Sequence, residues 1–104
     1  MKNLVLSSFN KAVKKAYDLK EDNNITLATI SLVSFFKKNA ESEEEKWMLA
    51  EWQKALEGIE SIHLYLGSIT TELMSIRLKL IYDLEDFVEK NYGKDVRNKI
   101  NRCF

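Results

Sequence analysis

The stretch WQKALEGIESIHLYLGSITTELMSIRLKL, residues 52–80, decides the fold. Written as a heptad, it puts Trp52, Ile59, Leu66, Leu73 and Leu80 at a, and Ala55, Ile62, Ile69 and Ile76 at d. All nine are apolar, the pattern of a helix packed along its length against another helix. The spacing predicts an all-α helical bundle with coiled-coil character, built on residues 42–91. Two shorter N-terminal helices and a short C-terminal helix complete it.

Two forms of the long segment are open. Gly67 followed by Ser68 reads as a helix stop beside a helix start, which would fold 42–66 and 68–91 back as a helical hairpin. The heptad phase nevertheless runs straight through this pair, as a single helix over 42–91, ~75 Å long at 1.5 Å per residue, would require. Gly58 falls at g and leaves the seam intact, at a cost of ~1 kcal/mol relative to alanine. A second apolar line, Met74, Leu78, Ile81 and Val88, runs on another face, and a helix apolar on two faces is covered on two sides. After Leu80 the spacing changes, with Leu84 and Phe87 taking over and Asp83 at d, as in globular packing.

Working outward, Ser42 with Glu45 three residues later is a capping box, and Glu43, Glu44 and Glu45 suit the positive end of a helix dipole. Upstream, Ile25–Lys38 is apolar in nearly every direction, with Thr26, Thr29, Ser31 and Ser34 interspersed. Its β-branched content suits a strand, but a lone strand among helices has no partner. The segment therefore reads as a buried helix whose hydroxyls bond back to the preceding turn. Asn3–Leu19 reads as an amphipathic helix with Leu6, Phe9, Val13, Ala16 and Tyr17 inward and Lys11, Lys14 and Lys15 toward water. Downstream, Gly93 ends the long segment, and Tyr92, Val96, Ile100 and Phe104 repeat at i+4 in a short last helix.

The composition narrows the function classes. At 104 residues, 45% hydrophobic and 31% charged, the chain is a single globular domain. The absence of proline and only three glycines argue against a sandwich or barrel. The single cysteine, Cys103, excludes an internal disulfide. No signal-peptide pattern opens the chain and no apolar run is long enough to span a bilayer, so a cytoplasmic protein without a membrane partner is expected. The Asn24-Ile25-Thr26 sequon then carries no glycan. Lysine plus arginine and aspartate plus glutamate balance at 16 each. The balance hides a basic start (net +3 over 1–41), an acidic middle (net −7 over 42–89) and a basic end (net +4 over 90–104). That is complementarity within or between copies, not the uniformly basic surface of a nucleic-acid binder.

Three residue patterns bear on chemistry. Glu60-Ser61-Ile62-His63 has the Glu-x-x-His spacing that ferritin-like di-iron proteins use to aim two ligands at a metal. With one histidine in the chain and Glu60 and His63 at b and e, an exposed glutamate beside a flanking histidine is the preferred reading. Glu57-Gly58-Ile59-Glu60 and Asp83-Leu84-Glu85-Asp86 resemble the Glu-x-x-Glu and Glu-x-x-Asp pairs of MazG-like nucleotide pyrophosphohydrolases. That resemblance implies a small magnesium-dependent all-α enzyme. Asp83 stands where the family has glutamate, and Glu57 and Glu60 fall on the solvent side, so a hydrated acidic face is preferred. Cys103 near the chain end has no base placed beside it, which disfavours nucleophilic catalysis.

The sequence therefore points to a non-enzymatic interaction protein without metal or cofactor. It would be a small helical adaptor, inhibitor or assembly subunit, in the style of the small accessory proteins of phages and mobile elements. Its expected partners are itself, as a homodimer before a tetramer, and an unidentified protein. The candidate partner-binding residues are Trp47, Met74, Leu78, Ile81, Val88, Lys94, Arg97 and Arg102. On this reading Ile62→Asp and Leu73→Asp are severely destabilising, and Glu57→Ala and Glu60→Ala are silent.

Overall fold

The computed structural model describes residues 2–104. The chain forms α1 (Leu6–Glu21), α2 (Ile25–Lys38), α3 (Glu43–Leu66), α4 (Thr71–Tyr92) and α5 (Lys94–Asn101), and the described residues contain no strand. The bundle measures 40 × 28 × 18 Å. Among the described residues no helix is long and apolar enough to cross a membrane.

Local chemistry sets the helix ends. Asn24 Oδ1 accepts from the Leu27 amide at 2.9 Å and starts α2, and the Thr29 hydroxyl donates to the Ile25 carbonyl at 2.7 Å, one turn back. Ser42 Oγ accepts from the Glu45 amide at 3.1 Å and starts α3. At the other end of α3 Gly67 adopts φ +75°, and its amide reaches the His63 carbonyl at 2.8 Å. This left-handed position strains any side chain, so the helix stops there. Thr70, not Ser68, starts α4, accepting from the Leu73 amide at 3.2 Å. The chain is thus broken over 67–70, and the continuous helix over 42–91 is not formed. α1 begins later than the sequence suggests, at Leu6, and Leu6 and Tyr17 of its expected apolar face stay exposed while Phe9 and Ala16 are buried.

α2 occupies the centre. Phe36, fully buried, meets Phe9 of α1 at a ring separation of 6.4 Å, and Phe87 and Tyr92 of α4 at 6.5 and 5.4 Å. Trp52 of α3 closes on Phe87 at 6.3 Å. Leu32 and Val33 of α2, Leu49 and Leu56 of α3, and Leu84 and Val88 of α4 fill the remaining core. α5 folds back on α4 and sends Ile100 and Cys103 inward, where the Cys103 thiol donates to the Val13 carbonyl at 3.6 Å.

The heptad seam is not where the core forms. Of its nine positions only Ile59 is buried, while Ala55, Ile62, Leu66 and Ile76 are exposed. The buried line instead follows the e positions, Leu49 and Leu56 in α3 and Leu84 in α4, with Ile59, Ile81 and Val88 beside it. At 100° per residue this line lies roughly a quarter-turn from the a/d seam. The coiled-coil reading is corrected accordingly: α3 packs chiefly on α2 and α4 chiefly on α5, and the two touch each other at few points.

Two outcomes test this fold. Gly58 is exposed within α3, and a Cβ added there meets nothing within 4 Å. Gly58→Ala should therefore raise unfolding stability by about 1 kcal/mol, whereas Gly67→Ala should lower it, both read from urea midpoints. Burial pushes the Cys103 thiol up to about 11. The folded protein should react with a thiol reagent at pH 8 many-fold more slowly than the unfolded chain.

Candidate interaction surface on α3 and α4

The displaced core leaves the seam facing a groove between α3 and α4. At the end near the start of α3, Met48 and Trp52 face Asp83 and Phe87 across an open cleft of about 820 Å³. At helical spacing the same stripe continues along α3 through Ala55, Ile59, Ile62 and Leu66, and along α4 through Leu80, Ile76 and Leu73. Towards the 67–70 turn both helices carry exposed apolar side chains, on more than one face. Leu64 is 77% and Tyr65 88% exposed, and Ile62, Leu66, Met74, Ile76, Leu78 and Tyr82 are each exposed by two-fifths or more.

Helix length explains the exposure. At 1.5 Å per residue α2 spans about 21 Å and α3 about 36 Å, so α2 cannot cover the last turns of the longer helix. The far side of α4 is also incompletely covered. Met74, Leu78 and Tyr82 line a second, smaller pocket of about 410 Å³ with Ile25, Ile81 and Phe104.

Polar groups lie beneath this surface. Arg77 donates to the buried Thr26 hydroxyl at 3.0 Å. Burial pulls its guanidinium below the ordinary value, and the nearby Glu60 carboxylate opposes that pull. Glu60, placed on the solvent side by the heptad, is in fact buried, and its Oε2 has no hydrogen-bond partner. Glu60→Ala therefore acts on a buried group, and the expectation of silence no longer applies; Glu57 is exposed as expected. Glu85, also buried, accepts from Asn101 Nδ2 at 2.6 Å. Among the described residues no three His, Cys, Asp or Glu side chains converge to hold a metal ion.

The sequence-derived partner-binding residues divide. Trp47 is 68% exposed on the first turns of α3, and Met74 and Leu78 belong to the apolar patch. Ile81 and Val88, read on the same line, are instead buried, Val88 in the core and Ile81 against the pocket it shares with Met74, Leu78 and Phe104. Lys94 and Arg102 are exposed, whereas Arg97 docks on α4, 3.2 Å from Glu89 and 3.9 Å from Asp86. Leu64 and Tyr65 were missed, since neither falls at a or d. The signal that finds them is the uninterrupted apolar run Leu64-Tyr65-Leu66 immediately before a turn glycine. Met48 and Phe87, on the walls of the cleft, fall at d and a when the frame is extended beyond residues 52–80.

Compared with known protein families, curated proteins and solved structures, the chain matches none.

The exposure of Ile62 changes its expected mutational effect. Ile62→Asp should lower the stability of an isolated chain by less than ~1 kcal/mol, as surface substitutions do, read from urea unfolding at the lowest usable concentration. A loss above 3 kcal/mol under those conditions contradicts this placement.

Proposed function

We propose that this chain is a non-enzymatic protein–protein interaction module whose first partner is a second copy of itself. The turn-proximal parts of α3 and α4 act together as a helical hairpin that presents the contact. The observation that carries this reading is the set of exposed apolar side chains near the 67–70 turn, Ile62, Leu64, Tyr65, Leu66 and Ile76, with Met74, Leu78 and Tyr82 on the far side of α4.

The surroundings of the patch support the same reading. From Ser61 to Tyr82 only Glu72, Arg77 and Lys79 carry formal charge, and the core of an association surface is depleted of charge. Tyr65 and Tyr82 are large amphipathic side chains of the kind that anchor interfaces. No helix of the chain is left to cover the patch, because α1, α2 and α5 are all committed to the core. Two patches meeting about a two-fold axis bury each other, giving a closed dimer; a tetramer is the second arrangement.

Sedimentation at micromolar concentration tests the proposal. The wild-type chain should sediment as a dimer, and Leu64→Asp with Tyr65→Asp should give a folded monomer with an unchanged helical circular dichroism spectrum. A wild-type monomer throughout this range overturns it.

A further inference from the structure

The wide end of the groove differs in chemistry from the apolar patch. Its walls carry Met48 and Trp52 from α3 and Phe87 from α4, with the Trp52 and Phe87 rings edge-on at 85°. Around these lie five carboxylates, Glu41, Glu44, Glu45, Asp83 and Asp86, and two ammonium groups, Lys2 and Lys90. Several are already engaged. Lys2 bonds Glu45 Oε1 at 2.6 Å while its amide holds the Asn91 carbonyl at 2.7 Å, so the N-terminal segment straps one end of the cleft. Asp83 takes Lys79 at 3.0 Å and Asp86 lies 3.9 Å from Arg97. Among the described residues no cation lies within 4 Å of Glu41 or Glu44, both exposed at the rim.

We propose that this cleft docks a basic amphipathic helix of another protein, with an apolar stripe on the groove and lysine or arginine on its flanks. Three features determine that occupant. The walls repeat at helical spacing, Met48 and Trp52 one turn apart on α3 and Asp83 and Phe87 one turn apart on α4, so a third helix meets matching rows of side chains. The apolar walls ask for an apolar stripe, not for a free ion. The unpaired carboxylates at the rim select cationic flanks and repel acidic helices, nucleic acid and anionic membrane surfaces.

The chain's own basic helix cannot serve as this occupant. α5 spends its apolar side, Ile100 and the adjoining Cys103, on the core and offers only charge outward. The cleft lies at the opposite end of the groove from the self-association patch, so a dimer would present two such clefts.

The test uses the full chain and a fluorescently labelled synthetic peptide of about 18 residues, ~27 Å as a helix. The peptide is built from leucine at heptad a and d positions and lysine elsewhere, and anisotropy reports its binding. Saturable binding is expected, with at least a tenfold loss in Glu41→Lys with Glu44→Lys. A comparable loss is expected when the peptide's leucines become serine. Glu57→Lys, an exposed charge change outside the cleft, should leave binding unchanged, and a leucine–glutamate peptide should not bind. The Leu64→Asp, Tyr65→Asp variant should bind as the wild type does, which separates this site from self-association. Absence of binding, equal binding of the lysine and glutamate peptides, or equal loss from Glu57→Lys and the rim pair overturns the proposal.

Discussion

The structure depends on the aromatic contact around Phe36. Its ring sits near the end of α2, fully buried, and touches rings from α1 and α4, while Phe87 passes the contact on to Trp52 of α3. Such tilted and edge-on pairs contribute about 0.5–1.5 kcal/mol each beyond the area they bury. The contact gathers four helices at one end of the bundle. Among the described residues no comparable ring cluster forms at the other end, where α2 has begun and α3 and α4 run on beyond it. A tight base and an uncovered apex are therefore two results of one placement of aromatic side chains.

Much of the all-α architecture was legible in the residues. The Ser42–Glu45 cap, the Gly67 stop and the buried helix with Thr29 bonded back to Ile25 are local signals, and local signals survive because they depend on neighbours in sequence. The stripe that forms the core was not legible. Residues 49–88 carry two apolar lines a quarter-turn apart, and a heptad count favours the longer one. Which line is buried is decided by α2, through Leu32, Val33 and Phe36, and that is tertiary information. The same ambiguity explains the partner-binding residues: Met74 and Leu78 share a face with Ile81 and Val88, but only the latter pair lies within reach of the core. Legibility was poorest at the wide cleft, because its walls combine an a residue of α3 with α4 residues from beyond the change of spacing.

The uneven charge of the chain is partly used inside the fold. Arg97 from the basic end settles between Glu89 and Asp86, and Lys2 from the basic start takes Glu45. Each pair ties a terminus to the acidic middle, and each is partly exposed, so its value lies in placement more than in stability. The Lys2 contact also holds Glu45 below the ordinary carboxylate range. Intramolecular pairing takes three of the five carboxylates around the cleft and leaves Glu41 and Glu44 at its rim.

α3 does not rotate to zip its longer apolar seam against α4, because the rotation would undo buried contacts. Turning the a/d positions inward would withdraw Leu49 and Leu56 from α2, where both are fully buried. Each withdrawal costs about 1.5–3 kcal/mol. It would also move Glu60 and break the environment of Arg77, whose guanidinium is held by Thr26 of α2 and attracted by the Glu60 carboxylate. Buried polar groups of this kind add little net stability but penalise alternative registers, since any rotation strands a charge. α3 and α4 are thereby fixed with their seams turned to one open groove. Of an apolar periodicity long enough for a coiled coil, only Ile59, Trp52 and Leu80 reach the core, and Ala55, Ile62, Leu66 and Ile76 stay exposed.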